Sequence, residues 1–102
     1  MESKSKFYNK DPLRTIKIEN LELHITNEDL RRLFECYGEI EDCKVWNYDR
    51  SDIKVSRRIA NIKFFDALDA EKAVICENGT FYEGKNISVT MDKWDKLSNK
   101  NK

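Results

Sequence analysis

Residues 26–40 read TNEDLRRLFECYGEI. Leu30, Leu33, Phe34 and Tyr37 recur at i, i+3, i+4 and i+7, which is one apolar stripe of an amphipathic helix. Thr26 stands just ahead of the stripe, where its hydroxyl can accept from a first-turn N–H. Glu28 and Asp29 suit the positive end of the helix dipole. The pattern predicts a helix over residues 27–37. Gly38 is expected to end it in the left-handed cap conformation that glycine adopts cheaply.

On either side of that helix the period changes from 3.6 to two. Before it, Thr15-Ile16-Lys17-Ile18-Glu19 alternates as a strand that buries Ile16 and Ile18. After it, Ile40, Cys43 and Val45 begin a second extended run that reaches about Tyr48, and the polar stretch 49–56 reads as a loop. From Arg57 to Phe65, Ala60, Ile62 and Phe64 fall on one side, and Ile59, Asn61, Lys63 and Phe65 on the other. A second helix starts near Asp66 with a narrow stripe of Ala70, Ala73 and Val74, and Asn78-Gly79 stops it. A turn at Glu83-Gly84 leads to a last strand in which Ile87, Val89 and Met91 alternate with Ser88, Thr90 and Asp92. The order strand, helix, strand, strand, helix, strand predicts an α+β fold, the β-α-β-β-α-β sandwich of ferredoxin-like type. Right-handed crossovers put both helices on one face of a four-stranded antiparallel sheet and leave the other face open.

The chain has 102 residues, enough for one domain. No apolar run approaches the ~18 residues of a membrane span, and no charged-then-apolar leader precedes a cleavage site, which reads against secretion and membrane insertion. The formal net charge is zero, at first sight an argument against a polyanionic partner. The sum hides unlike parts: +2 over residues 1–14, −5 over 15–92 and +3 over 93–102. We read residues 1–13 and 94–102 as flexible basic arms around a domain at 14–93. Cys36, Cys43 and Cys76 form no C-x-x-C pair and His24 is the one histidine, so neither a zinc site nor any other metal or cofactor is expected. The cysteines read as small buried hydrophobes. Catalysis is not expected either: His24 has no evident nucleophile beside it, and no glycine-rich phosphate loop occurs.

These residues resemble the RNA recognition motif family over about residues 14–93. Ile16-Lys-Ile-Glu-Asn-Leu21 is similar to the family's strand-1 hexamer, and the helix with its Tyr-Gly-x-Ile exit at 37–40 resembles the first helix. Asp69-Ala-Glu-Lys-Ala-Val74, Asn78-Gly79 and Gly84 resemble the second helix, its exit and the glycine before the final strand. The resemblance implies an RNA-binding, non-enzymatic domain that holds single-stranded RNA on its open sheet face, where aromatic rings stack on bases. It also implies mRNA processing inside the cell, with the nucleus favoured over the cytoplasm.

Against the family's strand-3 octamer (Lys/Arg, Gly, aromatic, Gly/Ala, aromatic, aliphatic, any, aromatic) the chain gives Arg57-Arg58-Ile59-Ala60-Asn61-Ile62-Lys63-Phe64. Arg57, Ala60, Ile62 and Phe64 match. Ile59 and Asn61 replace the stacking aromatics, and Lys17 replaces the third, in strand 1. Trp46 is expected to supply a ring from strand 2, since Cys43 and Val45 point inward. Lys17, Lys44 and Lys63 are expected to make the face positive. Arg50, Lys54, Arg57 and Arg58 load the strand 2–3 loop, and Ser88 and Thr90 add hydroxyls from the last strand. The bland alternative for Trp46 is cover by a neighbouring loop or by the C-terminal arm. A rival functional reading makes the domain a protein-interaction module in a ribonucleoprotein assembly, with an exposed Trp46 beside Ile59, or Trp94, as an anchor. A peptide-binding branch of the family offers a helix-face variant. It would use the acidity of Glu28, Asp29 and Glu35, but its arginine is missing beside Phe81, and Tyr82 is expected to plug the core.

Overall fold

The computed structural model describes residues 13–50 and 55–93. The elements are β1 (Thr15–Leu21), α1 (Asn27–Phe34) with a 3-10 turn at Glu35–Tyr37, β2 (Ile40–Arg50), β3 (Val55–Phe64), α2 (Ala67–Glu77), β4 (Phe81–Tyr82), β5 (Lys85–Asn86) and β6 (Ser88–Met91). The main sheet runs β2-β3-β1-β6, and each neighbouring pair is antiparallel. This is the expected β-α-β-β-α-β sandwich. β4 and β5 form a separate two-stranded hairpin that the alternation did not reveal. Two-residue strands are too short to show a period.

One sheet face and both helices enclose the core. β1 contributes Ile16, Ile18 and Leu21, and β3 contributes Ala60, Ile62 and Phe64. Leu30 and Phe34 come from α1, Ala70 and Ala73 from α2, and Ile87 and Val89 from the last segment. Most of these are fully buried. Burying a side chain of Ile, Leu or Phe size stabilises by about 1.5–3 kcal/mol, so this contiguous cluster holds the sandwich closed. The small α2 residues let that helix lie close to the sheet. Tyr82 packs half-buried against the same cluster.

Local chemistry sets the element ends. Thr26 Oγ1 accepts from Asp29 N at 3.1 Å, and Asp29 Oδ2 accepts from Thr26 N at 3.0 Å, a complete capping box. Asp66 caps α2 by accepting from Leu68 N. Asn20 adopts a left-handed φ of 64° at the irregularity that separates Ile18 from Leu21, and its Nδ2 donates to the Asn86 carbonyl. Asn tolerates that conformation better than most residues, which gives the Asn-Leu pair its local reason. Arg14 ties three strands together: Nη1 donates to Glu41 Oε1 at 2.8 Å and to the Phe64 carbonyl at 2.9 Å, while its own carbonyl accepts from Phe64 N.

Several expectations need correction. Gly38 is extended (φ 159°, ψ 177°) and is no left-handed cap. The helix tightens into a 3-10 turn instead, and Gly38 is required because a Cβ there would run into the Asp69 side chain. The ladder runs into the expected 49–56 loop from both sides, with Asp49 opposite Ser56 and Arg50 opposite Val55, while residues 51–54 lie outside the described residues. Backbone pairing in a two-stranded ribbon does not need apolar side chains, so hydropathy understated its length. Cys43 is buried as expected, but Cys36 and Cys76 are exposed. Cys36 sits on the 3-10 turn, and Cys76 lies off the Ala70–Ala73 stripe of α2. The expected arms, residues 1–13 and 94–102, fall outside the described residues except for Leu13. Lys54 and Trp94 fall outside as well.

Candidate nucleic-acid interface

Because Ile16 and Ile18 face the helices, Lys17 and Glu19 face away, and the ladder carries that alternation across all four strands. Lys44 on β2 is in register with Asn61 on β3, Asn61 with Lys17 on β1, and Lys17 with Thr90 on β6. These four residues form one polar row across the centre of the open face. Beside it, Trp46 lies opposite Ile59. Trp46 is 41% exposed and Ile59 is half-buried, which makes an apolar step on the β2–β3 side. Arg57 continues that face along β3, two residues from Ile59, and is exposed. Lys44 precedes Trp46 by two on β2, so basic residues flank the ring along both strands. Lys63 lies opposite Asp42 and Thr15, and Ser88 opposite Glu19.

Arg58 does not join this site. It points to the helix side, where Nε donates to the Ile25 carbonyl and Nη1 to Asn47 Oδ1, each at 2.8 Å. Its alternation with Arg57 requires this, because adjacent strand residues cannot share a face. Arg57 and Arg58 both lie within β3 and not in a loop.

The face is of mixed charge, which corrects the expectation of a positive one. Lys17 Nζ lies 3.9 Å from Glu19 Oε2, and Lys44 Nζ 3.8 Å from Asp42 Oδ2. Asp92 enters the face as well, accepting from Asn61 Nδ2 at 2.8 Å. Among the described residues, Lys17, Lys44, Arg57 and Lys63 are thus set against Glu19, Asp42 and Asp92. The three acids were missed as site residues, although the rule that i and i±2 share a strand face marks each of them.

Away from the sheet face, His24 is exposed with Nδ1 2.9 Å from Glu22 Oε2. The His24 backbone N–H, followed by its ring, holds the Glu22 carboxyl below the usual carboxylate range. Among the described residues no group of three or more His, Cys, Asp and Glu side chains is placed to hold a metal ion.

The architecture defines a class, a small α+β sandwich in which, among the described residues, both helices lie on one face of the sheet and none on the other. The RNA recognition motif pattern matches residues 16–88, and the chain belongs to that family. The probable splicing factor, arginine/serine-rich 4, of Caenorhabditis elegans is 35% identical over 86 residues, covering 84% of this chain and 43% of that protein. Human serine/arginine-rich splicing factor 8 is 30% identical over 84 residues, covering 82% of this chain and 29% of that protein. The chain therefore spans less than half the length of these relatives. Among solved structures, the RRM3 domain of Mip6 superposes with a TM-score of 0.69 at 22% identity, covering 78% of this chain and 93% of that one. The Rna15 RRM with bound RNA (GU) gives a TM-score of 0.66 at 18% identity, covering 89% of this chain and all of that one. The Sex-lethal protein/RNA complex gives 0.67 at 21%, covering 79% of this chain and 47% of that one. At these identities the likeness establishes the fold.

Proposed function

We propose that this domain binds single-stranded RNA on its open sheet face in a non-standard way, within a nuclear ribonucleoprotein that processes mRNA. The carrying observation is Trp46, exposed on that face and set against Ile59, beside the Lys44–Asn61–Lys17–Thr90 row. Trp46 stacks one base. The row and Arg57 supply contacts to base edges and phosphates. Family membership and the splicing-factor relatives support the RNA class of ligand and the nuclear setting. Stacking is worth about 1–3 kcal/mol per base, so in anisotropy titrations with short single-stranded RNA Trp46→Ala should weaken binding at least about fivefold. Affinity should also fall as salt rises, since counterions are released from the RNA. Absence of binding by the unaltered chain at low salt would sink the proposal.

A second reading, a protein-interaction module, draws on the same apolar step and on the acids around it. It predicts a protein ligand whose binding Trp46→Ala abolishes, and sheet-face NMR shifts that ignore RNA.

A further inference from the structure

Where α2 starts, the helix and the sheet edge enclose a groove of about 530 Å³, away from the open face. Among the described residues its lining is Leu13, Ala67, Leu68 and Met91, together with the acids Asp66 and Glu71. Leu68 is 67% exposed, and Leu13 and Met91 are half-buried, so the apolar lining is open to a further side chain. Glu71 is exposed, and the one lysine of α2, Lys72, lies against Asp69 instead, at 3.8 Å. The chain leaves the sheet at this groove. Met91 ends β6, and the Asp92 N–H donates to the Thr15 carbonyl at 2.8 Å, which keeps the exit beside the start of β1 and close to Leu13. Lys93 is the last described residue there. Trp94 follows Met91 by three residues, a tether that spans at most about 11 Å. Residues 93–102 carry four lysines and one aspartate, a charge of +3.

We propose that this groove is the seat of the chain's own C-terminal segment, with Trp94 packed on Leu13, Leu68 and Met91 and the lysines after it set against Asp66 and Glu71. The inference is independent of the sheet-face reading, since the groove lies on the helix side. Three arguments select this occupant. An indole is a large, stiff apolar body that covers open lining at low entropic cost. The tether is short, and closing a short tether costs less than closing a long one. Phe7 and Tyr8 of the other terminal segment stand six and five residues from Leu13. A second copy of the chain would bring its tryptophan without the high effective concentration that a tether gives. Charge agrees as well, because a +3 segment meets a lining whose charged members are both acidic. Seated so, the first residues of the expected flexible arm belong to the domain, and its charge is held beside α2.

The test uses the full chain and tryptophan fluorescence, with no RNA present. The chain has two tryptophans, so Trp46→Phe leaves Trp94 as the sole emitter. Its emission should be blue-shifted, and acrylamide should quench it less steeply than in the urea-unfolded chain. Adding Leu68→Ser, at a side chain 67% exposed, should shift the emission to the red and restore quenching while far-UV circular dichroism stays unchanged. Adding Glu71→Lys, at an exposed position of α2, should loosen the ring in the same direction. In the otherwise unaltered chain, Trp94→Ala should lower the melting temperature by about 4–8 °C. Emission and quenching of Trp94 that match the unfolded chain overturn the proposal. Protection that survives both Leu68→Ser and Glu71→Lys also overturns it, because the ring is then covered elsewhere. Protection that fades on dilution overturns it in favour of a second copy. A melting temperature lowered by Phe7→Ala and Tyr8→Ala but not by Trp94→Ala overturns it in favour of the N-terminal segment.

Discussion

Arg57 and Arg58 are neighbours in sequence and opposites in role. Arg57 stands exposed on the open face, while Arg58 is spent on the Ile25 carbonyl and Asn47. Arg57→Ala should therefore weaken RNA binding with little change in urea denaturation. Arg58→Ala should lower stability by about 1–3 kcal/mol, as expected when hydrogen bonds from a charged group are lost, and leave the affinity of the folded fraction nearly unchanged. Parallel denaturation and anisotropy curves decide this, and the reverse pattern would show the faces misassigned. Tyr37 is informative in another way. Its hydroxyl donates to Glu77 Oε2 at 2.6 Å, and that bond, helped by burial, raises its ionisation well above the ordinary phenol range. In the unfolded chain it ionises near about pH 10. Above that pH the folded state retains a proton that the unfolded state has lost, so the contribution is intact at lower pH and fades as pH rises. Tyr37→Phe keeps the ring contact with Phe34 but removes the proton. Its stability deficit should be full at about pH 8 and shrink toward about pH 11; a constant gap would count against the bond.

Helix α1 shows how well an element can be read when its signals agree. The apolar stripe, Thr26 and the early acids all indicate one helix, and the structure supplies the capping box that they imply. Thr26→Ala should cost about 1 kcal/mol, measured by chemical denaturation. The bond from the Thr26 backbone N–H, followed by that from its hydroxyl, holds the Asp29 carboxyl below its usual range. That part of the box is present above the range and lost as pH falls through the lowered value. The variant should therefore differ less from the unaltered protein in acid than at neutral pH. The strands were legible for the same reason, since one buried face enforces strict alternation. The β2–β3 ribbon was legible only in its core-facing part. Beyond Trp46 the ladder pairs Asn47 with Arg58, Tyr48 with Arg57, Asp49 with Ser56 and Arg50 with Val55 through backbone groups, which composition does not report. At the site, parity located Lys17, Lys44, Trp46, Ile59, Asn61, Lys63, Ser88 and Thr90 on one face. Parity says nothing about hydrogen-bond partners, so the neutralising roles of Glu19 and Asp42 and the Asn61–Asp92 bridge stayed hidden. Arg58 reads as part of a basic strand 2–3 loop, and its place inside β3 is what turns it to the helix side.

Over the whole molecule, zero net charge resolves into local contrasts, and the open face repeats the pattern on a smaller scale. Its bases are interleaved with acids, so the proposed sheet-face recognition would lean on shape and hydrogen bonding, while the basic ends at 1–14 and 93–102 carry the surplus of positive charge. Exposed pairs such as Lys17–Glu19 and Lys44–Asp42 add at most about 1 kcal/mol of stability each. Their effect on function is to lower the potential that a phosphate meets. The Arg14 staple has a practical consequence for anyone excising this domain. The family match ends at Ser88 and begins at Ile16, yet Arg14 fastens Glu41 and Phe64 and Asp92 bridges to Asn61. A recombinant fragment trimmed to 16–88 would cut off one clamp at each edge together with most of β6. It should melt well below a fragment spanning 13–93 in a calorimetric comparison, and equal melting temperatures would show that neither clamp matters. The expected self-sufficient unit is thus longer at both ends than the stretch by which its kinship is recognised.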